Sequence, residues 1–227
     1  GEMTDDQARV FFGGGEPLSE CTDPAGLAAL VRLTDRVTAG LDLPYDLRVA
    51  VLDDRAQPIL NAFAVAGGRI TFFDTMLQAA EHPDEIAAVL AHELGHVVHD
   101  DPVRHQLQSL SGFAILSLLL GDVTGGGLLS GAATSALSAS YSRSAELAAD
   151  RFAVERLTQA GLPPSALGRM FERLRDRSGE SGGIVAHFAT HPRIAARIAA
   201  TTAAGDPVET APALSADDWA ALQAICR

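Results

Sequence analysis

Residues Ala88 to Asp101 read AVLAHELGHVVHDD, an apolar run interrupted by His92, Glu93, His96, His99 and two terminal aspartates. Just upstream, Pro83-Asp84-Glu85 supplies the proline and the acid charge that favour a helix N-terminus, so the stretch is expected to be helical. Residues four apart on a helix are about 6 Å apart along the axis and about 40° apart around it, which puts His92 and His96 on one face. Two imidazoles so placed can hold one metal ion. Glu93 is rotated off that line, yet near enough to take a proton from water activated at the metal. This is the H-E-x-x-H arrangement. The competing reading is a chance match on a polar helix face. It fails because Ala88, Val89, Leu90, Leu94, Val97 and Val98 make the helix apolar and therefore buried, and buried His-Glu-His needs a partner.

Catalytic zinc usually takes three protein ligands and keeps one position for water. The extended motif H-E-x-x-H-x-x-G-x-x-H does not supply the third, because His99 and Pro102 stand where it requires Gly and His. His99 is read as a helix histidine outside the ligand set. The stronger candidate is Glu146 in SRSAELAAD (142–150), where a carboxylate from a second helix can close a His-His-Glu site. Asp150 lies four residues on, on the same face, and can accept the free N–H of a ligating imidazole. Taken alone, Glu146 would read as a solvated charge paired with Arg143 or Arg151.

The 227-residue chain is long enough for one well-buried domain. Its net charge is −12, it contains no lysine, and its 17 basic residues are spread thinly, which excludes a nucleic-acid surface. Cys21 and Cys226 lie near opposite ends: they are either one disulfide, implying an oxidising compartment, or two unrelated thiols. The opening GEMTDD lacks a secretory pattern and Gly-Glu-Met resembles a cloning remnant, which leaves room for an anchor upstream.

Residues 1–23 are expected to form an extended N-terminal arm. PAGLAALVRLTDRVTAG (24–40) places Leu27, Leu30, Val31, Leu33 and Val37 at helical spacing, with Asp23 as cap. LRVAVLDD (47–54) and ILNAFAVAGGRITFF (59–73) read as three short strands, the last two joined at Gly67-Gly68. A helix is expected from Asp74. In 112–141 only FAILSLLL is strongly apolar, and Asp122 with TGGG interrupts the rest, well short of the roughly 20 residues a membrane span needs. That segment is read as a buried or membrane-touching helix. Further helices are expected from Ser142 to Gly161, over 165–177 and over 192–204, with SGESGG (178–183) as a loop. The final SADDWAALQAIC (215–226) reads as a short capped helix that could return Cys226 to the body.

NAFAVAGGRI (61–70), HELGH (92–96), SRSAELAAD (142–150) and THPRIAARI (190–198), in that order, resemble the M48 family of zinc metallopeptidases, over about Leu27 to Thr201. The resemblance implies an α+β, zincin-like fold, mostly helical, with a small three-stranded sheet whose edge strand faces the active-site cleft. It implies a metallopeptidase domain over 24–204, with 205–227 as a C-terminal extension. It assigns one zinc ion per chain to His92, His96 and Glu146, the general base to Glu93, and support of the first zinc histidine to Asp150. Asn61, Ala62, Phe63 and Ala64 match the segment that pairs with extended substrate backbone. His191 and Arg197 match H-P-x-x-x-x-R, where a histidine and an arginine near the metal could stabilise an oxyanion, and where the histidine could instead be a resting ligand. The implied function is zinc-dependent endopeptidase action on protein substrates in envelope protein quality control. The alternative is a latent or inactive zinc protein that binds unfolded chains as a chaperone would. Members with membrane helices suggest a bacterial envelope location, membrane-anchored through 112–141 or an upstream segment, or periplasmic; the alternative is cytoplasmic.

Overall fold

The computed structural model describes residues 5–65, 67–99, 143–181, 197, 201, 205–208 and 210–227. The expectations placed on 112–141, on His191 and on most of 192–204 lie outside them. The fold is α+β and zincin-like: helices surround one small sheet. Strands β1 (Arg48–Leu52), β2 (Ala62–Val65) and β3 (Arg69–Phe73) lie in the order β1-β3-β2. β1 runs parallel to β3 and β2 antiparallel to it. The β2–β3 connection passes through Gly67 and Gly68 at φ of 87° and 80°, a left-handed conformation that L side chains resist. Among the described residues β2 has a single partner strand and stands at the edge of the sheet.

Strand alternation gives the sheet two buried faces. Val51, Ala62, Ala64, Ile70 and Phe72 enter the main core, while Leu52, Phe63 and Phe73 form a second cluster. What covers the second cluster corrects the expectation of an extended arm. Residues Asp5–Phe12 form a helix, α1, whose Phe12 stacks on Phe63 at 5.3 Å between ring centroids and meets Phe73 edge-on at 5.1 Å. Leu18 and Ile59 complete the cover. The arm folds back because three large apolar side chains on that face would otherwise meet water.

Helix α2 (Pro24–Thr38) starts as expected, with Asp23 Oδ1 accepting from the Ala25 and Gly26 amides. It buries Leu30, Leu33 and Val37, whereas Leu27 and Val31 face outward. After the short α3 (Asp74–Ala79) comes α4 (Pro83–Val98), opened by a capping box in which His82 and Glu85 satisfy each other's backbone N–H groups. Nearly every residue of α4 is buried, because it packs against the sheet, α2 and two later helices. Those are α5 (Arg143–Gln159) and α6 (Ser165–Ser181). Gly161, at φ 67°, marks the turn after α5, and Pro163-Pro164 precede α6. α6 runs past the point where SGESGG was expected to begin a loop. A glycine inside a helix costs about 1 kcal/mol without forbidding it.

The C-terminal segment is tied to the body. In α7 (Ala216–Gln223), Ser215 caps the first turn and the helix packs on α2 and α3. A Cβ at Gly26 would stand 2.6 Å from Ile225 Cβ, so the approach to α2 needs a glycine. Ala213 N donates to the buried Asp84 carboxylate at 2.7 Å, anchoring the segment to the first turn of α4. Of the two readings of the cysteines, the structure takes the bridge: Cys21 and Cys226 form a disulfide with Cα atoms 4.7 Å apart.

Candidate metal centre

Two helices build the site. His92 and His96 stand one turn apart on α4, and their Nε2 atoms approach to 3.1 Å. Glu146, in the first turn of α5, brings Oε1 to 3.4 Å from His96 Nε2 and Oε2 to 3.7 Å from His92 Nε2. All three are buried, and one ligand atom from each lies within 4.8 Å of the other two. No other such group of His, Cys, Asp or Glu occurs among the described residues.

Two sequence features make that meeting possible. Helical spacing aligns the histidines, and Gly95 between them lets α5 come close: a Cβ there would lie 2.8 Å from Ala149 Cα. Reading the sequence for chemistry alone passes over Gly95, although a glycine within an otherwise apolar helix is itself a sign of close packing. Phe171, on α6, is missed as well, and no local pattern marks it.

Asp150 lies one turn beyond Glu146 and places Oδ1 3.0 Å from His92 Nδ1. Burial first, then the nearby Arg197 charge, push the His92 pKa down to about 3, so the ring is neutral at pH 7. Its Nδ1–H then donates to Asp150 and its Nε2 lone pair turns toward His96 and Glu146. Burial alone would raise the Asp150 pKa, but hydrogen bonds from Arg197 and His92 overcome it and hold the carboxyl at about 2. An imidazole with a fixed tautomer, a second imidazole and a buried carboxylate are the donor set that zinc takes in catalytic sites. The residues therefore fit a zinc ion.

Arg197 is only 2% exposed. Its Nε and Nη2 donate to the two Asp150 oxygens at 2.7 Å each, and Nη1 pairs with Glu146 Oε2 at 2.7 Å. The guanidinium also lies over the Phe171 ring, 4.3 Å from its centroid. Arg197 thus lies among two carboxylates and a ring beside the candidate ligands. Glu93 is fully buried on α4 beside His92. His99 stays out of the ligand group as expected; it caps α4, with Nδ1 2.6 Å from the Gly95 carbonyl oxygen.

Of the residues expected to pair with substrate, Asn61 is buried and its carbonyl oxygen accepts from the Phe73 amide at 3.3 Å. Ala62, Phe63 and Ala64 form β2 and pack their side chains into the two clusters, while β2 itself rests on α4. Any pairing with substrate would therefore use the backbone.

The chain belongs to peptidase family M48, whose model matches residues 25–204. Its relatives within that family of metallopeptidases are named for proteolysis. Mitochondrial metalloendopeptidase OMA1 of Schizosaccharomyces pombe is 30% identical over 162 residues, covering 69% of this chain and 45% of that protein. The protein of the same name from Arabidopsis thaliana is 31% identical over 139 residues, covering 60% of this chain and 27% of that one. The beta-barrel assembly-enhancing protease of Yersinia pestis is 25% identical over 173 residues, 70% of this chain and 35% of its own length. The chain thus spans less than half the length of each of these three relatives.

Proposed function

We propose that this chain is a zinc-dependent endopeptidase that cleaves protein substrates bound in extended form. The observation that carries the reading is the convergence of His92, His96 and Glu146 in a buried group, with Glu93 adjacent on the same helix. His92, His96 and Glu146 hold the metal, and Asp150 fixes the His92 tautomer. Zinc held there would supply a Lewis acid that lowers the pKa of water toward about 7 and polarises the scissile carbonyl. Glu93 accepts the proton from the attacking water and delivers it to the leaving amine. The outer edge of β2 at Asn61–Ala64 binds substrate backbone through main-chain hydrogen bonds, which tolerate many side-chain sequences. His191 is the group assigned to the oxyanion or to a resting ligand position.

The biological setting proposed is protein quality control in a bacterial envelope. The Cys21–Cys226 disulfide supports an oxidising compartment. Among the described residues no helix is long and apolar enough to cross a membrane.

Incubating unfolded casein with the zinc-loaded protein tests the reading. Time-dependent fragments that vanish on chelation and return with zinc are expected. Casein held without cleavage, by protein containing stoichiometric zinc, would instead support the chaperone-like alternative.

A further inference from the structure

The edge strand β2 differs in kind on its two faces. Strand alternation sends Ala62 and Ala64 into the main core, toward α4 with His92 and His96, and sends Phe63 and Val65 to the opposite face. On the α4 face, a strand laid along the outer edge of β2 has only methyl groups as cross-strand neighbours. On the far face its neighbours are a phenyl ring and an isopropyl group. Directly opposite side chains on adjacent strands stand about 5 Å apart at Cβ, so these neighbours act on every second residue of a bound peptide.

The Phe63 ring is held in place. Phe12 of α1 stacks on it at 5.3 Å between centroids, and Phe73 meets both rings, 5.1 Å from Phe12 and 5.9 Å from Phe63. Arg9 ties α1 down, its Nε donating to the carbonyl oxygen of Leu18, which itself packs on the cluster. Phe63 is 9% exposed, Phe12 is half-buried, and Phe11, edge-on to Phe12 at 5.2 Å, is 73% exposed. The aromatic group therefore runs from the sheet out to solvent. Its outer half comes from α1, which lies before the family-matched residues 25–204.

We propose that Phe63 determines specificity at the substrate edge: with Phe12 stacked on it, it selects a large apolar or aromatic side chain at the peptide residue opposite, on the side away from the metal centre. This rests on the reading of β2 as the strand that pairs with substrate. Main-chain hydrogen bonds hold a peptide of any sequence, and the ring pair adds a preference at alternate residues. An apolar side chain there leaves water for aromatic carbon, whereas a carboxylate gives up hydration for nothing. Phe12 is a positioning residue that acts through the Phe63 ring. Segments with apolar residues at every second position are buried on that face in folded proteins, so the class selected is unfolded or misassembled protein.

Digestion of a randomised decapeptide library by the zinc-loaded full chain, with cut sites read by mass spectrometry, tests this. Phe, Tyr, Leu and Ile are expected to be enriched roughly 3- to 10-fold at one position a fixed distance from the cut, and more weakly two residues away, opposite Val65. Two peptides differing only at that position, Phe against Ser, then give a ratio of kcat/KM. A general loss of stability or metal scales both peptides alike and leaves the ratio unmoved. Phe63→Ala is expected to bring the ratio close to one. Phe12→Ala, which spares the sheet, is the second variant in case the first does not fold, and is expected to lower it. A wild type that cuts the library without preference at alternate positions overturns the proposal, as do folded variants that keep the wild-type ratio. Undiminished cleavage of peptides N-methylated at residues remote from the cut overturns the edge-strand reading and this proposal with it. A wild type that cuts nothing overturns the peptidase reading itself.

Discussion

Glu93 follows His92 directly, and a helix turns about 100° between neighbours, so adjacent residues on α4 serve separate roles. Glu93→Gln keeps the volume and removes the base. It is expected to retain zinc while peptidase activity falls by roughly 10²–10⁴-fold, the usual contribution of a positioned acid–base group. Metal content and casein cleavage on the same sample check this. Asp150 and His92 make the metal-free protein acid-sensitive. Held at about 2 against an ordinary 3.8, Asp150 contributes stability that is complete above 3.8 and lost as pH falls toward 2. His92, lowered from 6.5 to about 3, contributes stability complete above 6.5 and lost as pH falls toward 3. Denaturant midpoints of the chelated protein should therefore decline from pH 6.5 downward, and Asp150→Asn should flatten the segment below about pH 4. At this scale the buried group of His92, His96 and Glu146 was legible because H-E-x-x-H and a later E-x-x-x-D are local helical spacings. The place of Arg197 was not, because its partners lie 47 and 51 positions away and only the packing of α6 behind His92 shows which way it faces.

Among the elements, the contact between α4 and α5 decides whether the site exists. Gly95→Ala sets a methyl 2.8 Å from a backbone atom of α5, which cannot give way as a flexible side chain would. The helices must separate, costing about 1–3 kcal/mol by analogy with other overpacked cores, and Glu146 withdraws from the histidines. The expected outcome is a folded protein with weakened zinc retention in a chelator competition. Unchanged retention would remove Gly95 from the account. The hairpin of β2 and β3 was legible from Gly67-Gly68 and the alternating apolar residues around it. The arm was not: α1 is short, and its helical form depends on a sheet face built much later in the chain, where Phe63 and Phe73 need cover. Likewise the end of α6 could not be read from SGESGG, since glycine weakens a helix without fixing its last residue.

Over the whole molecule, segments outside the family match close the fold. The Cys21–Cys226 bridge links positions 205 apart, and α7 packs on α2 while Ala213 binds the first turn of α4. For a loop of that length the chain-entropy estimate of a disulfide's effect is about 5 kcal/mol, and measured values usually fall between about 2 and 4. Cys21→Ser with Cys226→Ser should therefore lose stability in that range by denaturant unfolding, while the folded fraction still binds zinc. A loss of zinc at conditions where the variant remains folded would mean that the bridge acts on the site, contrary to the account. The pairing could not be decided from two cysteines alone, because bridging requires a geometry that only the returned C-terminal helix provides. The central claim is that His92, His96 and Glu146 form the metal centre of a peptidase. Its most direct test is zinc stoichiometry after exhaustive dialysis, in the wild type and in His96→Ala. One zinc per chain in the wild type and none in His96→Ala is the expected result; a wild type without zinc, or a folded His96→Ala that retains a full equivalent, would contradict it.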